Sequence, residues 1–423
     1  MTEQTQRHKK MPAATASGPS EAETALHAPA ISGVMVPVAL TLAVQAVVSM
    51  SAVAIPVLTP VAAGELGVPP SYVGIFMSLL YLGATVSAPV SGYFVDRFGP
   101  IGVSQICLVL TALGLGAVSM SSVPMVVVGT LLMGIGYGPV TPASSHLLVR
   151  ATPYSMMSVV FSIKQTGVPL GGALAGAIVP QLVVFFGWKM SAIWVAGLSV
   201  VLCVGLQPFR KQFDRERSNR SQFSCKIVIQ AIKMTMSHSG LRQIVIASFF
   251  FSTMQLCLIS FVVTYLIKDI GMTLIQAGMV LSAAQASGII GRVVWGALAD
   301  RFVKPRLMLG ILGVVMAAGA LLTAAFSSQW PYSAILIVSA LFGASAVGWN
   351  GVYLAEVARV ATPEHAGKAT GGSLFFTFCG ILIGLPAFSL IIDTTGSYAL
   401  GFGLAALATL ACGVGLAFSR VSR

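Results

Sequence analysis

Lys164 and Arg292 stand inside stretches that are otherwise almost free of charge, FSIKQTGVPLGG and ASGIIGRVVWGALAD. An ionised side chain among apolar neighbours is costly, and it is kept where it serves a ligand or an ion path. An ammonium and a planar guanidinium are both good partners for a carboxylate. Constellations for covalent or metal chemistry are missing, since the chain holds no HExxH, no GxSxG and no GxxxxGK[ST]. Its cysteines (Cys107, Cys203, Cys225, Cys257, Cys379 and Cys412) show no CxxC spacing, and all but Cys225 lie in apolar stretches as small buried side chains. Neither an enzyme nor a resident cofactor or metal is expected. His146 and His365 fall at helix ends and are not read as proton carriers.

The elements that hold these cations must be membrane helices. Of 423 residues, 56% are hydrophobic and only 9% charged, against about 25% charged in a soluble domain. Mean hydropathy is +0.90. Since about 20 apolar residues cross a bilayer as a helix, the runs at 32–58, 72–94, 101–121, 125–148, 157–181, 190–209, 243–267, 275–298, 307–327, 332–357, 370–391 and 398–419 predict twelve spans. Prolines within them, such as Pro56, Pro89, Pro139, Pro169 and Pro386, are tolerated because neighbouring groups re-satisfy the backbone.

The net charge of +12 follows from 24 Lys and Arg against 12 Asp and Glu. Placing both termini and the loops after spans 2, 4, 6, 8 and 10 in the cytoplasm gathers every Lys and Arg there except Lys164, Lys189, Lys268 and Arg292. This is the Lys/Arg asymmetry of a membrane protein, and it explains the basic balance without nucleic acid. Residues 1–30 read as a polar, disordered cytoplasmic tail and not as a signal peptide. The expected organisation is a six-span unit over 31–209, a basic cytoplasmic linker over 210–242, a second six-span unit over 243–419 and a short cytoplasmic end at 420–423. Within the linker, CKIVIQAIKMTM has apolar residues at helical spacing and fits either a helix on the inner membrane surface or a solvated connector.

The two units echo each other. Glu65 and Gly67 fall on Asp269 and Gly271, Gly74 on Gly278, Ser78 on Ser282, Gly92 on Gly296, and Asp96-Arg97-Phe98 on Asp300-Arg301-Phe302. A second echo relates Arg150-Ala151-Thr152-Pro153 to Arg359 and Ala361-Thr362-Pro363. Repeated halves of this kind mark secondary transporters. GYFVDRFGP (Gly92–Pro100) and GALADRFVKPR (Gly296–Arg306) resemble the G-x-x-x-D-R loop motif of the major facilitator superfamily, and with the repeat the resemblance covers residues 31–420.

That resemblance implies an all-α membrane fold of twelve helices in two pseudo-symmetric bundles around a central cavity, working by alternating access as a monomer in a lipid bilayer, taken to be the bacterial inner membrane. Gly92 and Gly296 are expected to let helices approach closely. Asp96, Arg97, Asp300 and Arg301 are expected either to form gating contacts between the halves or to act as topology anchors. Pro100 departs from the family pattern, in which a basic residue often continues the motif.

Counting from Tyr154, Lys164 lies about ten residues, or roughly 15 Å, into its helix, and Arg292 lies roughly 12 Å before Asp300. The superfamily arrangement sets spans 5 and 8 side by side, so both cations could face one cavity. Glu356 and Asp393 lie nearer the membrane faces. Two cations without a buried counter-charge repel, and a bound anion relieves both. The alternatives are helix-end carbonyls for Arg292 and a neighbouring carbonyl or snorkelling for Lys164. Arg292 occupies a position similar to the substrate-site arginine of oxalate/formate and monocarboxylate transporters, although the aromatic-rich first-helix motif of the latter is missing. Further polar candidates are Gln45, Tyr81, Gln165, Gln255, Gln285 and Trp349-Asn350, and the pairs Gly167/Gly171 and Gly380/Gly384 read as close-packing ridges.

The sequence therefore predicts a carrier of a small organic anion, with a proton as coupling partner in symport, or an exchanger. A multidrug/proton antiporter is the second reading, because GVPLGG partly resembles that group's fifth-helix motif. Thr130 stands where those proteins usually carry arginine, and no mid-membrane acid is present to bind a cationic drug.

Overall fold

The computed structural model describes residues 31–153, 156–214, 225–361 and 366–419. The tail 1–30, the most basic part of the linker, His365 and residues 420–423 lie outside the described residues. The described chain is helical, with no strand in it.

In the first half, α1 (Ile31–Leu66) is followed by a short 3-10 turn at Pro70–Tyr72 and then by α2 (Val73–Ser87), α3 (Ser91–Phe98) and α4 (Pro100–Val118). Next come α5 (Val123–Tyr137), α6 (Val140–Ala151), α7 (Met157–Gln165), α8 (Gly167–Gly205) and α9 (Gln207–Phe213). The second half holds α10 (Cys225–Ser237), α11 (Ser239–Lys268), α12 (Leu274–Arg301), α13 (Pro305–Ala324), α14 (Tyr332–Ala346), α15 (Asn350–Val360), α16 (Ala366–Thr395) and α17 (Tyr398–Phe418).

These make 11 segments long and apolar enough to cross a membrane, one of them the 47 residues from Val159 to Gly205. A straight helix of that length would run about 70 Å, more than twice the roughly 30 Å of hydrocarbon it has to cross. The helix turns back at Gly187, whose φ of 76° and ψ of 165° are not helical. Both arms lie on the same part of α1. Gly171 packs against Ala46, Ser49 and Met50, and Ser199 hydrogen-bonds to Ser51 at 3.5 Å. The long segment is thus the fifth and sixth spans joined by a glycine turn, and the protein is an all-α bundle of twelve spans.

Proline placement explains where the two halves differ. Pro89 falls in the interruption between α2 and α3, whereas the corresponding α12 has no proline and runs unbroken from Leu274 to Arg301. Pro100 is the first residue of α4, a position where its missing N–H costs nothing. The next two amides of that helix, Ile101 and Gly102, donate to the Asp214 carboxylate at 2.9 and 3.0 Å. An acid at a helix N-terminus is electrostatically favourable. Gly99, with φ of 83°, leaves room for it, since a Cβ there would overlap Asp214. Residues 210–213 of the expected linker therefore continue as α9, and α10 packs against α16 and α11.

The halves meet along three seams: α8 with α12, α2 with α16, and α1 with α11. Their tightest contacts lie at the end of the bundle away from the Arg/Lys-rich loops. A Cβ on Gly176 would stand 2.5 Å from the Gly278 carbonyl oxygen, and one on Gly278 would stand 2.4 Å from that of Gly176. Beside them Ser282 Oγ donates to Ala173 O at 2.9 Å. Ser389 Oγ donates to Ser71 O at 2.7 Å, and Ser71 Oγ donates to Asp393.

The basic end is different. Added Cβ atoms on Gly92 and Gly296 would meet nothing within 4 Å, so the close approach expected at both is absent from this conformation. Arg97 donates to Tyr93 within its own helix at 3.0 Å, and among the described residues Asp96, Arg97, Asp300 and Arg301 form no ion pair. In this conformation the tight contacts described between the halves lie at the other end.

A side chain at the glycine seam should unseal it. Overpacking costs about 1–3 kcal/mol, enough to shift a two-state equilibrium by roughly 5- to 150-fold. Gly278→Leu is therefore expected to lengthen the distance between spin labels placed at Met120 and Thr394 in a background freed of other cysteines. An unchanged distance distribution would show that the seam does not set the conformation.

Candidate functional site

The polar side chains of the interior gather where helices are interrupted. In a regular helix the Gln165 carbonyl would accept from the amide four residues on, but that residue is Pro169 and has no N–H. Arg292, on α12 of the other half, supplies the donor. Its Nη1 reaches Gln165 O at 2.8 Å, while its Nε reaches Val347 O at 3.1 Å. Val347 lies in the interruption between α14 and α15. One guanidinium thus joins two interrupted helices, α7/α8 of the first half and α14/α15 of the second. The carbonyl contacts weighed for Arg292 are both present.

Lys164 is 1% exposed. Its Nζ donates to Thr141 Oγ1 at 3.2 Å and to Gln165 Oε1 at 3.5 Å. Gln165 accordingly touches both cations, through its side chain and its backbone. Thr141 donates to Gln45 Oε1 at 3.3 Å, and Gln45 Nε2 donates to Ser49 Oγ at 3.4 Å. Among the described residues neither cation has a carboxylate partner. Thr141 is itself exposed, so the cluster has an open side.

Tyr137 and Thr141 flank the interruption at Gly138-Pro139 between α5 and α6. The Tyr137 hydroxyl lies within electrostatic reach of Arg292. The Tyr81 ring sits 5.9 Å from that of Tyr137 and 6.3 Å from that of Phe378 on α16.

The remaining candidates separate. Gln255 Oε1 accepts from Trp349 Nε1 at 3.0 Å and from Asn350 Nδ2 at 3.2 Å, a knot within the second half. Gln285 is 2% exposed and wedged against Gly172, and its Oε1 has no hydrogen-bond partner. Gly92, Asp96 and Arg97 on α3 and Gly296, Asp300 and Arg301 on α12, expected in loops, lie on helices at the basic end, away from the cluster. Glu356 is fully buried but held by Arg359 at 2.6 and 2.8 Å.

The structure thus brings Lys164, Arg292, Gln165, Gln45 and Tyr81 together and leaves Gln255, Asn350 and Gln285 in separate contacts. It adds Thr141, Tyr137, Ser49 and Phe378, which the sequence reading did not single out. A signal for two of these was available, because Tyr137 and Thr141 bracket a Gly-Pro pair inside a predicted span.

Twelve spans in two similar halves, with charged and polar groups at helix interruptions near the middle of the bundle, define a multi-pass membrane transporter. Residues 40–371 match the Major Facilitator Superfamily, and the chain belongs to that family. It is 23% identical over 382 residues to the hexuronate transporter of Bacillus subtilis, covering 85% of this chain and 89% of the relative. To the benzoate transport protein of Acinetobacter baylyi it is 25% identical, with 77% and 76% covered. The 4-hydroxybenzoate transporter of Pseudomonas putida is 26% identical, with 82% of each chain covered. Among solved structures, a POT family transporter in complex with 5-aminolevulinic acid superposes with a TM-score of 0.74 at 11% identity, over 89% of this chain and 94% of that one. A bacterial homologue of the lysosomal transporter Spinster gives 0.72 at 14% identity, over 92% and 96%.

The Gln255 knot yields a stability prediction. Gln255→Leu strands two indole and amide donors, at a cost of about 1–3 kcal/mol for each left unsatisfied. The expected result is a lower unfolding midpoint in detergent, with Gln255→Glu, which keeps the acceptor, losing less. Equal midpoints for the wild type and Gln255→Leu would contradict the assignment.

Proposed function

We propose that the protein carries a small organic anion, a carboxylate, across the membrane by alternating access, as a proton symporter or an exchanger. The observation that carries this reading is the Arg292–Gln165–Lys164 cluster, in which two cations from opposite halves share one glutamine and have only neutral partners among the described residues. Carbonyl, amide and hydroxyl oxygens orient cations but do not neutralise them. An anion between Lys164 and Arg292 would, and at low effective dielectric the gain is large. Because the two charges belong to different halves, an anion held by both also ties the halves together at mid-bundle. The carboxylates named by the hexuronate, benzoate and 4-hydroxybenzoate relatives support the same class of cargo.

In this reading the basic end faces the cytoplasm, as the Lys/Arg bias implies, and the conformation is inward-open. The protein acts as a monomer surrounded by lipid in the bacterial inner membrane. Gly92-x-x-x-Asp96-Arg97 and Gly296-x-x-x-Asp300-Arg301 close the cytoplasmic end in the outward-open state, in which contacts absent here would form. Lys164, Arg292 and Gln165 bind the anion, with Gln45 and Tyr81 as neighbours. Gln255, Asn350 and Gln285 are proposed to reach the cargo only after the halves move.

Ligand-induced thermal stabilisation of the purified protein tests the reading, with benzoate, 4-hydroxybenzoate, glucuronate, glucose and tetraphenylphosphonium as probes. A ligand at 100 times its Kd stabilises by about 2.7 kcal/mol. Carboxylates are expected to stabilise the wild type. Arg292→Gln and Lys164→Gln should each weaken that binding by roughly 30-fold or more, as for truncation of a buried charge contact. If tetraphenylphosphonium stabilises all three proteins equally and no carboxylate does, the anion reading is wrong and drug export takes its place.

A further inference from the structure

Most polar groups around the two cations are already engaged with one another. Gln45 is bonded to Thr141 and Ser49, and Thr141 and the Gln165 side chain to Lys164. The Tyr81 and Tyr137 rings pack on each other, their centroids 5.9 Å apart. A cargo rich in hydroxyls would have to break these bonds to find partners, and an interrupted buried hydrogen bond is expensive. What remains open beside the charges is ring surface. Tyr81, Tyr137 and Phe378 are each only partly buried, and their rings are tilted by 59° and 40° rather than stacked flat on one another.

Tyr137 and Thr141, the residue that holds Lys164, flank the same Gly138-Pro139 interruption. The rings also come from both halves, Tyr81 and Tyr137 from the first and Phe378 from the second, as the two cations do. Edge-to-face and offset contacts are the arrangements that aromatic rings prefer, and a tilted trio leaves such positions available to a further ring.

We infer that Tyr81, Tyr137 and Phe378 form a ring-binding subsite beside Lys164 and Arg292, so that the cargo is an aromatic carboxylate and not a polyhydroxylated aliphatic one. The inference rests on the anion reading above and narrows it. Tyr137 joins the two parts of the site, since it packs on Tyr81 and lies near Arg292. Phe378 contributes no polar group, and its side chain therefore reports on ring contact alone.

The test measures affinities of the purified full-length protein for benzoate, cyclohexanecarboxylate and glucuronate by ligand-induced stabilisation. Benzoate and cyclohexanecarboxylate share charge and approximate size and differ in their π-faces. The wild type is expected to bind benzoate about three- to tenfold more tightly than cyclohexanecarboxylate, the margin that aromatic contacts supply, and glucuronate most weakly. Phe378→Leu should lower the ratio of benzoate to cyclohexanecarboxylate affinity by about threefold, the share of one lost ring contact. Phe378→Tyr, which keeps the ring, should retain the wild-type ratio. Equal wild-type affinities, a preference for glucuronate, or a benzoate preference undiminished in Phe378→Leu overturns the subsite while the anion reading stands. If Phe378→Leu does not fold, the wild-type ranking decides alone. If no carboxylate binds at all, the anion reading fails and the subsite falls with it.

Discussion

A carbonyl without a donor cannot be left to the hydrocarbon of a bilayer, and Pro169 creates such a carbonyl at Gln165. The donor that fills it comes from the opposite half of the molecule, on Arg292. This one bond fixes much else. It holds α12 against the α7/α8 interruption and orients the guanidinium so that Nε meets the interruption at Val347. It also places a positive charge beside the residue that Lys164 bonds. A helix defect that would be a weakness in water becomes here the means of positioning a cation.

The seam between α8 and α12 has a graded character along its length. At one end Gly176 and Gly278 bring the backbones together with nothing between them. One layer in, Gln285 fits only because residue 172 is glycine. At mid-bundle the contact is a guanidinium on a carbonyl. Small residues permit rigid approach, whereas a long charged side chain can keep its bond through a change of angle. For the alternating access proposed above, the two halves would tilt about the middle of this seam more readily than they would part at its glycine end.

How much of this the sequence carried depends on the kind of signal. Hydropathy marked the spans because each must be apolar over a bilayer's thickness, and even the helix that turns at Gly187 was legible as two runs. Lys164 and Arg292 were legible because a lone cation in such a run is expensive. Thr141, Tyr137 and Phe378 were not, since threonine and aromatic residues are at home in membrane helices and carry no such cost. Their importance lies in what they touch, and partners on other helices have no trace in a single sequence. Asp214 was missed for a related reason: it looked like one charge among many in a basic linker, and its bonds to Ile101 and Gly102 exist only because α9 turns it onto the start of α4. The G-x-x-x-D-R loops were recognisable as a motif, but a motif does not state which conformation the chain adopts, and here both loops stand apart.

The site's economy follows from where its charges come from. Had Lys164 and Arg292 both belonged to one half, either access state would hold an anion equally well, and binding would do nothing to the equilibrium between them. Split between the halves, as in the anion site proposed above, they would make their joint contact with a ligand only while the middle of the bundle is closed around it. Their present partners are neutral oxygens that can be exchanged for a stronger acceptor without stranding a charge. A carboxylate on Lys164 or Arg292 would have removed the need for any cargo. On the reading proposed above, its absence among the described partners would let the pair respond to one.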